Sequence, residues 1–522
     1  MISTVTTKRF AFAAILPSAV LGLAVCGALP AKAASCENLA KVSLPGTIIT
    51  MARTVAAGEF TLPSAPGADA PPTAPAPNAF GDLPAFCRVA ATLAPTTDSD
   101  IKIEVWLPVS GWNGKFEAVG NGGWAGIISY PAMAQALRRG YATSSTDTGH
   151  VGGDAKFAPG HPEKLVDYAY RSEHEMTLKA KALIQAFYGN AAKYSYWNGC
   201  STGGKQALTE AQRYPNDYDG IIAGAPANYM IHLHIWSLWV AQAVHKDPQS
   251  FIPPAKFPMI HQAVLDACDA LDGVKDGLLE DPRRCHFDPG TIQCLGADGP
   301  ACLTAAQVKA ARQIYAPATN PRTKELIFPP LEPGSELLWN FLAGAQVFSV
   351  PTDTFKYVIF NKPDWDYNSL NFDQDVALAD RVDHGLNNAI NPDLKPFFGH
   401  GGKLLMYHGW ADQLIAPENS VNYYQSVVAK SGGLQKTSGE VRLFMVPGMT
   451  HCGGGEGPNV FDSVGAIEQW VEKGIAPAQM IASHSTAGTV DRTRPLCPYP
   501  QTAHYKGSGS IDDAANFSCA AP

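Results

Sequence analysis

Serine, aspartate and histidine occur at three positions where together they could perform nucleophilic catalysis. The serine, Ser201, lies in a Gly-x-Ser-x-Gly turn at 199–203, between a predicted β-strand and a predicted helix. Glycines flank such a serine because a side chain would collide with the crowded backbone, and the strained turn lifts the hydroxyl above the sheet. The helix that follows points its free N–H groups at the same place. We therefore predict that Ser201 is a nucleophile.

Asp412 and His451 each follow an apolar run that is predicted to be a strand, at 403–407 and 442–446. The chain order Ser201, Asp412, His451 is that of α/β-hydrolases, whereas the two best-known serine protease orders differ. All three residues come just past the end of a predicted strand, where open α/β sheets place their sites. The sequence therefore predicts an α/β-hydrolase core in which His451 is the base and Asp412 orients it.

Other roles remain open for these residues and their neighbours. Asp412 could instead cap a helix, since aspartate is a favoured capping residue. His408 could be mistaken for the base, but it precedes Asp412, against the expected order. His150 precedes the nucleophile, so we interpret it as a structural or binding residue.

A glycine cluster at 120–123 follows another predicted strand and suggests an oxyanion hole. Such a hole needs two backbone N–H groups, one of them from the residue after the nucleophile. Thr202 and Gly122 are the predicted donors. The alternative for Gly122 is a tight turn without a catalytic part.

The N-terminus, residues 1–33, reads as a secretory signal peptide, with Lys8 and Arg9 before an apolar run and an Ala-x-Ala cleavage site at its end. A membrane anchor or a lipid on Cys26 are the weaker alternatives. Cleavage would remove three positive and no negative charges, so the net charge would change from −8 to −11. An acidic exported chain is a poor candidate for nucleic-acid binding. We expect a protein that is secreted or periplasmic, without a membrane segment after cleavage.

Ten cysteines remain after the signal peptide, and an even number in an exported protein indicates disulfides. Near neighbours in sequence suggest three local bridges, Cys268–Cys285, Cys294–Cys302 and Cys497–Cys519. A fourth pair bears on the candidate site, because Cys200 precedes the candidate nucleophile and Cys452 follows the candidate base. If Ser201 and His451 must meet, a Cys200–Cys452 bridge would lock their loops together. Alternatively, Cys200 is a small buried residue.

The alternation of strands and helices stops at about residue 227 and resumes at about residue 396. We therefore predict a catalytic core formed by residues 34–226 and 396–522. Residues 227–395 are predicted to be an inserted lid domain that covers the site at the carboxyl edge of the sheet.

The predicted lid contains an acidic loop whose residue types suit a calcium ion, which takes six to eight oxygen ligands. Three aspartates, separated by glycines, lie within eight residues, and two backbone carbonyls could supply further ligands. The candidate ligands are Asp269, Asp272, Val274, Asp276 and Leu278. Their spacing is not that of an EF-hand, and a solvated acidic turn is the alternative.

Three motifs resemble those of the tannase and feruloyl esterase family, which also contains mono(2-hydroxyethyl) terephthalate hydrolase. They are Gly-Cys-Ser-Thr-Gly-Gly at 199–204, His-Gly-Trp-Ala-Asp at 408–412 and Pro-Gly-Met-Thr-His-Cys at 447–452. The resemblance covers nearly the whole mature chain. It implies an α/β-hydrolase core with a lid, the Cys200–Cys452 bridge and structural Ca²⁺ on the five ligands named above. It also implies the bridges Cys36–Cys87, Cys268–Cys285, Cys294–Cys302 and Cys497–Cys519.

The resemblance implies a serine esterase whose substrates are small-molecule esters of aromatic acids. Six lid aromatics could stack on the acyl group, although most should be core: Trp236, Trp239, Trp339, Phe341, Phe348 and Trp365. Residues 330–365 contain no arginine to pair with a second carboxylate. This favours feruloyl, other hydroxycinnamoyl or galloyl esters over a terephthalate half-ester. A serine peptidase on the same core and a non-enzymatic, calcium-stabilised binding protein are the competing classes.

Overall fold

The structure is a computed structural model that describes residues 34–63 and 79–522, together with residues 1, 3, 4 and 6. The predicted signal peptide, 1–33, therefore lies outside the described residues, except for those four positions. In the described part of the chain, no helix is long and apolar enough to cross a membrane.

A nine-stranded sheet forms the centre of the described residues, in the order β1-β2-β3-β5-β4-β6-β7-β10-β11. The strands are β1 (Thr47–Val55), β2 (Phe86–Leu93), β3 (Ile101–Pro108), β4 (Lys115–Val119), β5 (Ala142–Thr146), β6 (Tyr194–Cys200), β7 (Gly220–Gly224), β10 (Lys403–Gly409) and β11 (Val441–Val446). Pairing is antiparallel from β1 to β5 and parallel among β5, β4, β6, β7, β10 and β11. This is the predicted α/β-hydrolase architecture.

The central strands are largely buried because helices cover both faces of the sheet. Every residue of β5 and β7 is buried, whereas all residues of β1, at the edge, except Val55 are exposed or part-exposed. The helices outside the segment between β7 and β10 are α1 (Tyr130–Arg138), α2 (Pro162–Val166), α3 (Ser172–Tyr188), α4 (Thr202–Arg213), α12 (Glu418–Ser431), α13 (Leu434–Thr437) and α14 (Ser463–Lys473).

Between β7 and β10 the chain leaves the sheet and forms a layer of helices with its own hydrophobic cluster. At its centre is α5 (Met230–His245), which is apolar on nearly every face and almost wholly buried, as a helix enclosed by other elements must be. The surrounding elements are α6 (Phe257–Cys268), α7 (Ala305–Ile314), β8 (Ala318–Thr319), β9 (Leu326–Phe328), α8 (Asn340–Ala343), α9 (Ser349–Asp353), α10 (Gln374–Asp383) and α11 (Lys395–Gly399). Of the six lid aromatics, Trp236, Trp339 and Trp365 are core residues of this cluster. Trp239 and Phe348 are partly buried against it, and Phe341 is exposed.

The chain ends in two antiparallel hairpins, formed by β12 (Met480–Thr486), β13 (Thr489–Leu496), β14 (Thr502–Tyr505) and β15 (Phe517–Ala520). The sequence did not predict them. The structure contains five disulfides, which are the five pairs named above: Cys36–Cys87, Cys200–Cys452, Cys268–Cys285, Cys294–Cys302 and Cys497–Cys519.

Candidate active site

Ser201 lies at the turn between β6 and α4, with backbone angles of φ 64° and ψ −123°. This left-handed conformation is strained for a residue with a side chain. The glycines beside it are required by space: a Cβ on Gly199 would lie 2.4 Å from the carbonyl oxygen of Gly203. A Cβ on Gly204 would lie 2.3 Å from the carbonyl oxygen of Gly224. Helix α4 can therefore pack this closely against β6 and β7 only with glycine at both positions.

Asp412 and His451 are joined by a hydrogen bond. The imidazole Nδ1 of His451 donates to Oδ2 of Asp412 over 2.8 Å. Asp412 is fully buried, while the His451 side chain is 14% exposed. Because Nδ1 carries the proton in this bond, Nε2 of a neutral His451 has a free lone pair.

The two groups shift each other's pKa in opposite directions. Burial opposes a charge on His451, but the charge of Asp412 and the hydrogen bond outweigh it and raise the pKa of His451. Burial likewise favours a neutral Asp412, but the charge of His451 and hydrogen bonds from His408 and His451 hold its pKa well below the usual range. Asp412 is therefore ionised wherever His451 titrates.

The disulfide Cys200–Cys452 holds the Ser201 and His451 loops together, with 5.9 Å between its Cα atoms. Each cysteine is the immediate neighbour of one candidate residue. Within the described residues, the Ser201 hydroxyl makes no hydrogen bond to the His451 imidazole. Catalytic hydrogen bonds are often long in ligand-free structures and shorten when substrate binds. The observation that indicates proximity of Ser201 and His451 is therefore the disulfide between their neighbours, Cys200 and Cys452.

The loop after β4 lies against the start of α4, as an oxyanion hole would require. The N–H of Gly203 donates to the Asn121 carbonyl over 2.8 Å, and the Thr202 hydroxyl donates to the Gly123 carbonyl over 3.0 Å. The N–H groups of Gly122 and Thr202 donate no hydrogen bond to any described residue. Two backbone donors are thus available next to Ser201.

His150 and the inserted layer hold this same loop in place. Nε2 of His150 donates to the Trp124 carbonyl over 2.7 Å, so this histidine has a structural role. The indole of Trp124 donates to the Val350 carbonyl over 3.1 Å. Val350 belongs to α9, so the insertion contacts the loop that carries the Gly122 N–H.

His408 supports Asp412, which the sequence did not reveal. Its Nε2 lies 3.0 Å from Oδ2 of Asp412 and 3.1 Å from the Ile415 carbonyl, two acceptors, so this nitrogen carries the proton. Its Nδ1 therefore accepts from the Ser420 hydroxyl over 2.7 Å. His408 is fully buried. Its position four residues before Asp412 was the available signal, but it can be interpreted only when Asp412 is known to face it.

Pro417, not Asp412, is the N-cap residue of the next helix, α12, so Asp412 does not cap that helix; it fixes the turn that directly follows it. Its Oδ1 accepts the N–H groups of Leu414 and Ile415 over 2.8 and 3.0 Å. One carboxylate oxygen therefore fixes the turn, while the other faces His451 and His408. The hydrogen bonds to its two oxygens together hold the carboxylate in one orientation.

In the acidic loop, the aspartate side chains hydrogen-bond to the loop's own backbone. Asp269 accepts the N–H groups of Asp276 and Gly277, and Asp272 accepts that of Val274. Asp276 accepts from Leu278 and also pairs with the buried guanidinium of Arg494. The ligand atoms of the three aspartates do not all lie within 4.8 Å of one another. Oxygens on opposite sides of a calcium ion can be about 5 Å apart.

Two features of this loop fit a bound cation. The carbonyls of Val274 and Leu278, both buried residues, accept no hydrogen bond from any described residue. Burial and the neighbouring charges of Asp276 and Asp269 raise the pKa of Asp272. The donors are all oxygens, as calcium prefers. Arg494 already pairs with Asp276, so the negative charges of Asp269 and Asp272 are those that a cation would compensate.

The family model for tannase and feruloyl esterase matches residues 87–520. The chain belongs to this family. An uncharacterised esterase of Xanthomonas campestris pv. campestris is 40% identical over 95% of this chain and 93% of the relative. A probable feruloyl esterase B-2 of Aspergillus terreus is 36% identical over 97% of this chain and 98% of the relative.

Solved structures of the family share the fold. The crystal structure of feruloyl esterase B from Aspergillus oryzae matches with a TM-score of 0.85 and 32% identity, over 93% of this chain and 99% of that chain. The predicted family and the predicted α/β-hydrolase fold are therefore confirmed. The division into core and lid at residues 227 and 395 stays a prediction.

Proposed function

We propose that the protein is an exported serine esterase that hydrolyses small esters of aromatic acids through an acyl-enzyme. The observation that carries the proposal is the hydrogen bond from His451 to buried Asp412, with the Cys200–Cys452 bridge joining the His451 loop to Ser201. Family membership supports ester hydrolysis, and five disulfides support export to an oxidising compartment.

The proposed chemistry follows from the protonation states of the site. Nε2 of neutral His451 accepts the Ser201 proton while the Ser201 oxygen attacks the ester carbonyl. The imidazolium that forms is stabilised by Asp412 and then protonates the leaving alcohol. Water repeats these steps on the acyl-enzyme and releases the acid.

The N–H groups of Gly122 and Thr202 are the proposed donors to the oxyanion of each tetrahedral intermediate. They lie in a loop and at a helix N-terminus that hydrogen bonds fix in advance, so little reorganisation is needed during the reaction. One such donor typically contributes about 3–4 kcal/mol of transition-state stabilisation.

The substrate class is proposed from the relatives, because the A. terreus and A. oryzae proteins are named feruloyl esterases. The absence of arginine from residues 330–365 favours a hydroxycinnamoyl or galloyl ester over a terephthalate half-ester with its second carboxylate. Calcium is proposed as a structural ion held by Asp269, Asp272, Asp276 and the carbonyls of Val274 and Leu278.

Turnover of four substrates by the wild type and by Ser201→Ala tests this function. The substrates are methyl ferulate, methyl gallate, a terephthalate half-ester and a peptide anilide. We expect wild-type hydrolysis of one of the first two esters, and a fall of about 10⁶-fold in kcat for Ser201→Ala with an unchanged circular dichroism spectrum. Hydrolysis of the anilide alone would favour a peptidase. Full activity of folded Ser201→Ala would overturn the serine mechanism.

A further inference from the structure

Three metal-ligating side chains meet beneath the site, at the end of α4 opposite to Ser201. They are His174 of α3, Glu210 of α4 and Asp217 of the loop before β7. One potential ligand atom from each lies within 4.8 Å of the other two, and among the described residues this is the only such group. None of the three has a role in the proposed reaction.

Glu210 is the unexplained member of this group. Its side chain is fully buried, and neither carboxylate oxygen has a hydrogen-bond partner in the structure. A buried carboxylate without partners is costly, so such groups are normally paired or bind metals. Its location beside His174 and Asp217, two other potential ligands, indicates that its missing partner is a metal ion.

The other two members are already oriented. Nδ1 of His174 lies 2.6 Å from Oδ2 of Asp217. The His174 ring stacks on Tyr214 with 3.8 Å between ring centroids, which fixes its plane. The His174 side chain is 25% exposed, so the group can be reached from solvent.

The charges also favour a bound cation. The nearest positive charge is the ammonium of Lys181, which donates to the backbone carbonyl of Asp217. It can balance only one of the two carboxylates, so a negative charge is left for a cation to compensate. An ion about 2 Å from each ligand atom would replace the proton between His174 and Asp217, and would leave one position for water. One nitrogen and two carboxylate oxygens favour zinc over calcium, because calcium prefers oxygen ligands alone.

We propose that His174, Glu210 and Asp217 bind one zinc-class divalent ion that ties α3 to the C-terminal end of α4. The site has a structural role. The ion would fix the C-terminal end of α4, the helix that begins directly after Ser201. This site is separate from the acidic calcium loop. The competing explanation is a proton shared between the Glu210 and Asp217 carboxyl groups, which needs no metal.

Zinc binding to the tag-free mature protein separates the two explanations. The protein is treated with chelator, returned to buffer with excess Ca²⁺ so that the acidic loop is saturated, and dialysed against micromolar zinc chloride. Bound zinc is counted by mass spectrometry of the metals, and melting temperature is measured with and without zinc. Glu210→Gln is the test variant of nearly equal shape, His174→Ala is the second, and Glu175→Gln on the same helix is the control.

We expect one zinc per chain and a higher melting temperature with zinc in the wild type and in Glu175→Gln. Glu210→Gln and His174→Ala should bind zinc more than about 100-fold more weakly, because even indirect changes around a metal cost 10–100-fold. Absence of bound zinc in the wild type would overturn the proposal in favour of the shared proton. Equal zinc binding by wild type and Glu210→Gln would also overturn it, and neither result bears on ester hydrolysis.

Discussion

Asp412 organises the candidate site at the scale of single residues. Its two oxygens accept from His451, His408 and the N–H groups of Leu414 and Ile415, so the carboxylate has one orientation. Hydrogen bonds to a charged group are each worth roughly 1.5–3 kcal/mol, more than neutral ones. The direction in which His451 presents its free nitrogen is therefore set by groups that never meet a substrate.

The raised pKa of His451 leads to a prediction about the pH dependence of kcat/KM. Only neutral His451 accepts the Ser201 proton, so activity should fall as pH falls through its pKa. Because that pKa is raised from 6.5, we expect the midpoint of the acid limb above pH 6.5. In Asp412→Asn the charge that raises the pKa is gone, so the midpoint should move to lower pH and kcat should fall about 10⁴-fold.

Initial rates with an uncharged aromatic ester between pH 5 and 9 measure this midpoint in both proteins. A wild-type midpoint at or below 6.5 would contradict the assigned role of Asp412. An unchanged midpoint in Asp412→Asn would contradict it as well.

At the scale of elements, the disulfide Cys200–Cys452 links the last residue of β6 to the loop after β11 across 252 residues of sequence. Its replacement by two serines should lower both stability and kcat, because Ser201 and His451 then depend on weaker contacts for their approach. The matched control is Cys497→Ser with Cys519→Ser, far along the chain in the C-terminal hairpins. Each loss should cost about 2–4 kcal/mol of stability.

Denaturant unfolding and kcat at a temperature where all proteins remain folded distinguish the two bridges. We expect a lower kcat only for the Cys200–Cys452 replacement. An equal specific activity of both double variants would show that the bridge does not position the site.

Several elements could be predicted from sequence because local patterns determine them. The glycine turn after β6 and the apolar runs of β10 and β11 carry their own signals, and the structure has strands there. In contrast, the length of β1, which continues to Val55, depends on its pairing with β2, a partner that lies more than 30 residues along the chain. The hairpins β12–β15 have partners that no local pattern reveals.

At the scale of the whole molecule, the lid aromatics show why a site is harder to predict than a fold. Trp236 and Trp339 have the chemistry to stack on an aromatic substrate, yet each is fully buried in the core of the insertion. The role of His408 and the unpaired Glu210 likewise depend on contacts between distant segments. Residue type and spacing predict Ser201, Asp412 and His451 as candidate site residues, but only the packing of the chain assigns partners to the residues around them.

The proposed calcium ion should affect the stability of the whole molecule, because the Asp276 side chain joins the acidic loop to Arg494 of the C-terminal hairpin. Removal of the ion should lower the melting temperature by a few degrees through lost binding energy, with kcat of the folded protein nearly unchanged. Metal analysis should find one calcium per chain in the wild type and less in Asp272→Asn. The proposal would be contradicted if the purified wild type contained no calcium and its melting temperature did not change when calcium was added.

Trapping of the acyl-enzyme tests the central claim most directly. The wild type is mixed with methyl ferulate, quenched in acid within milliseconds to seconds and digested, and its peptides are mapped by mass spectrometry. We predict a feruloyl group on Ser201 in the wild type and none in Ser201→Ala. The Asp412→Asn variant should accumulate the adduct more slowly. A feruloyl group on another residue, or turnover of the ester without any adduct on Ser201 at any quench time, would contradict the account.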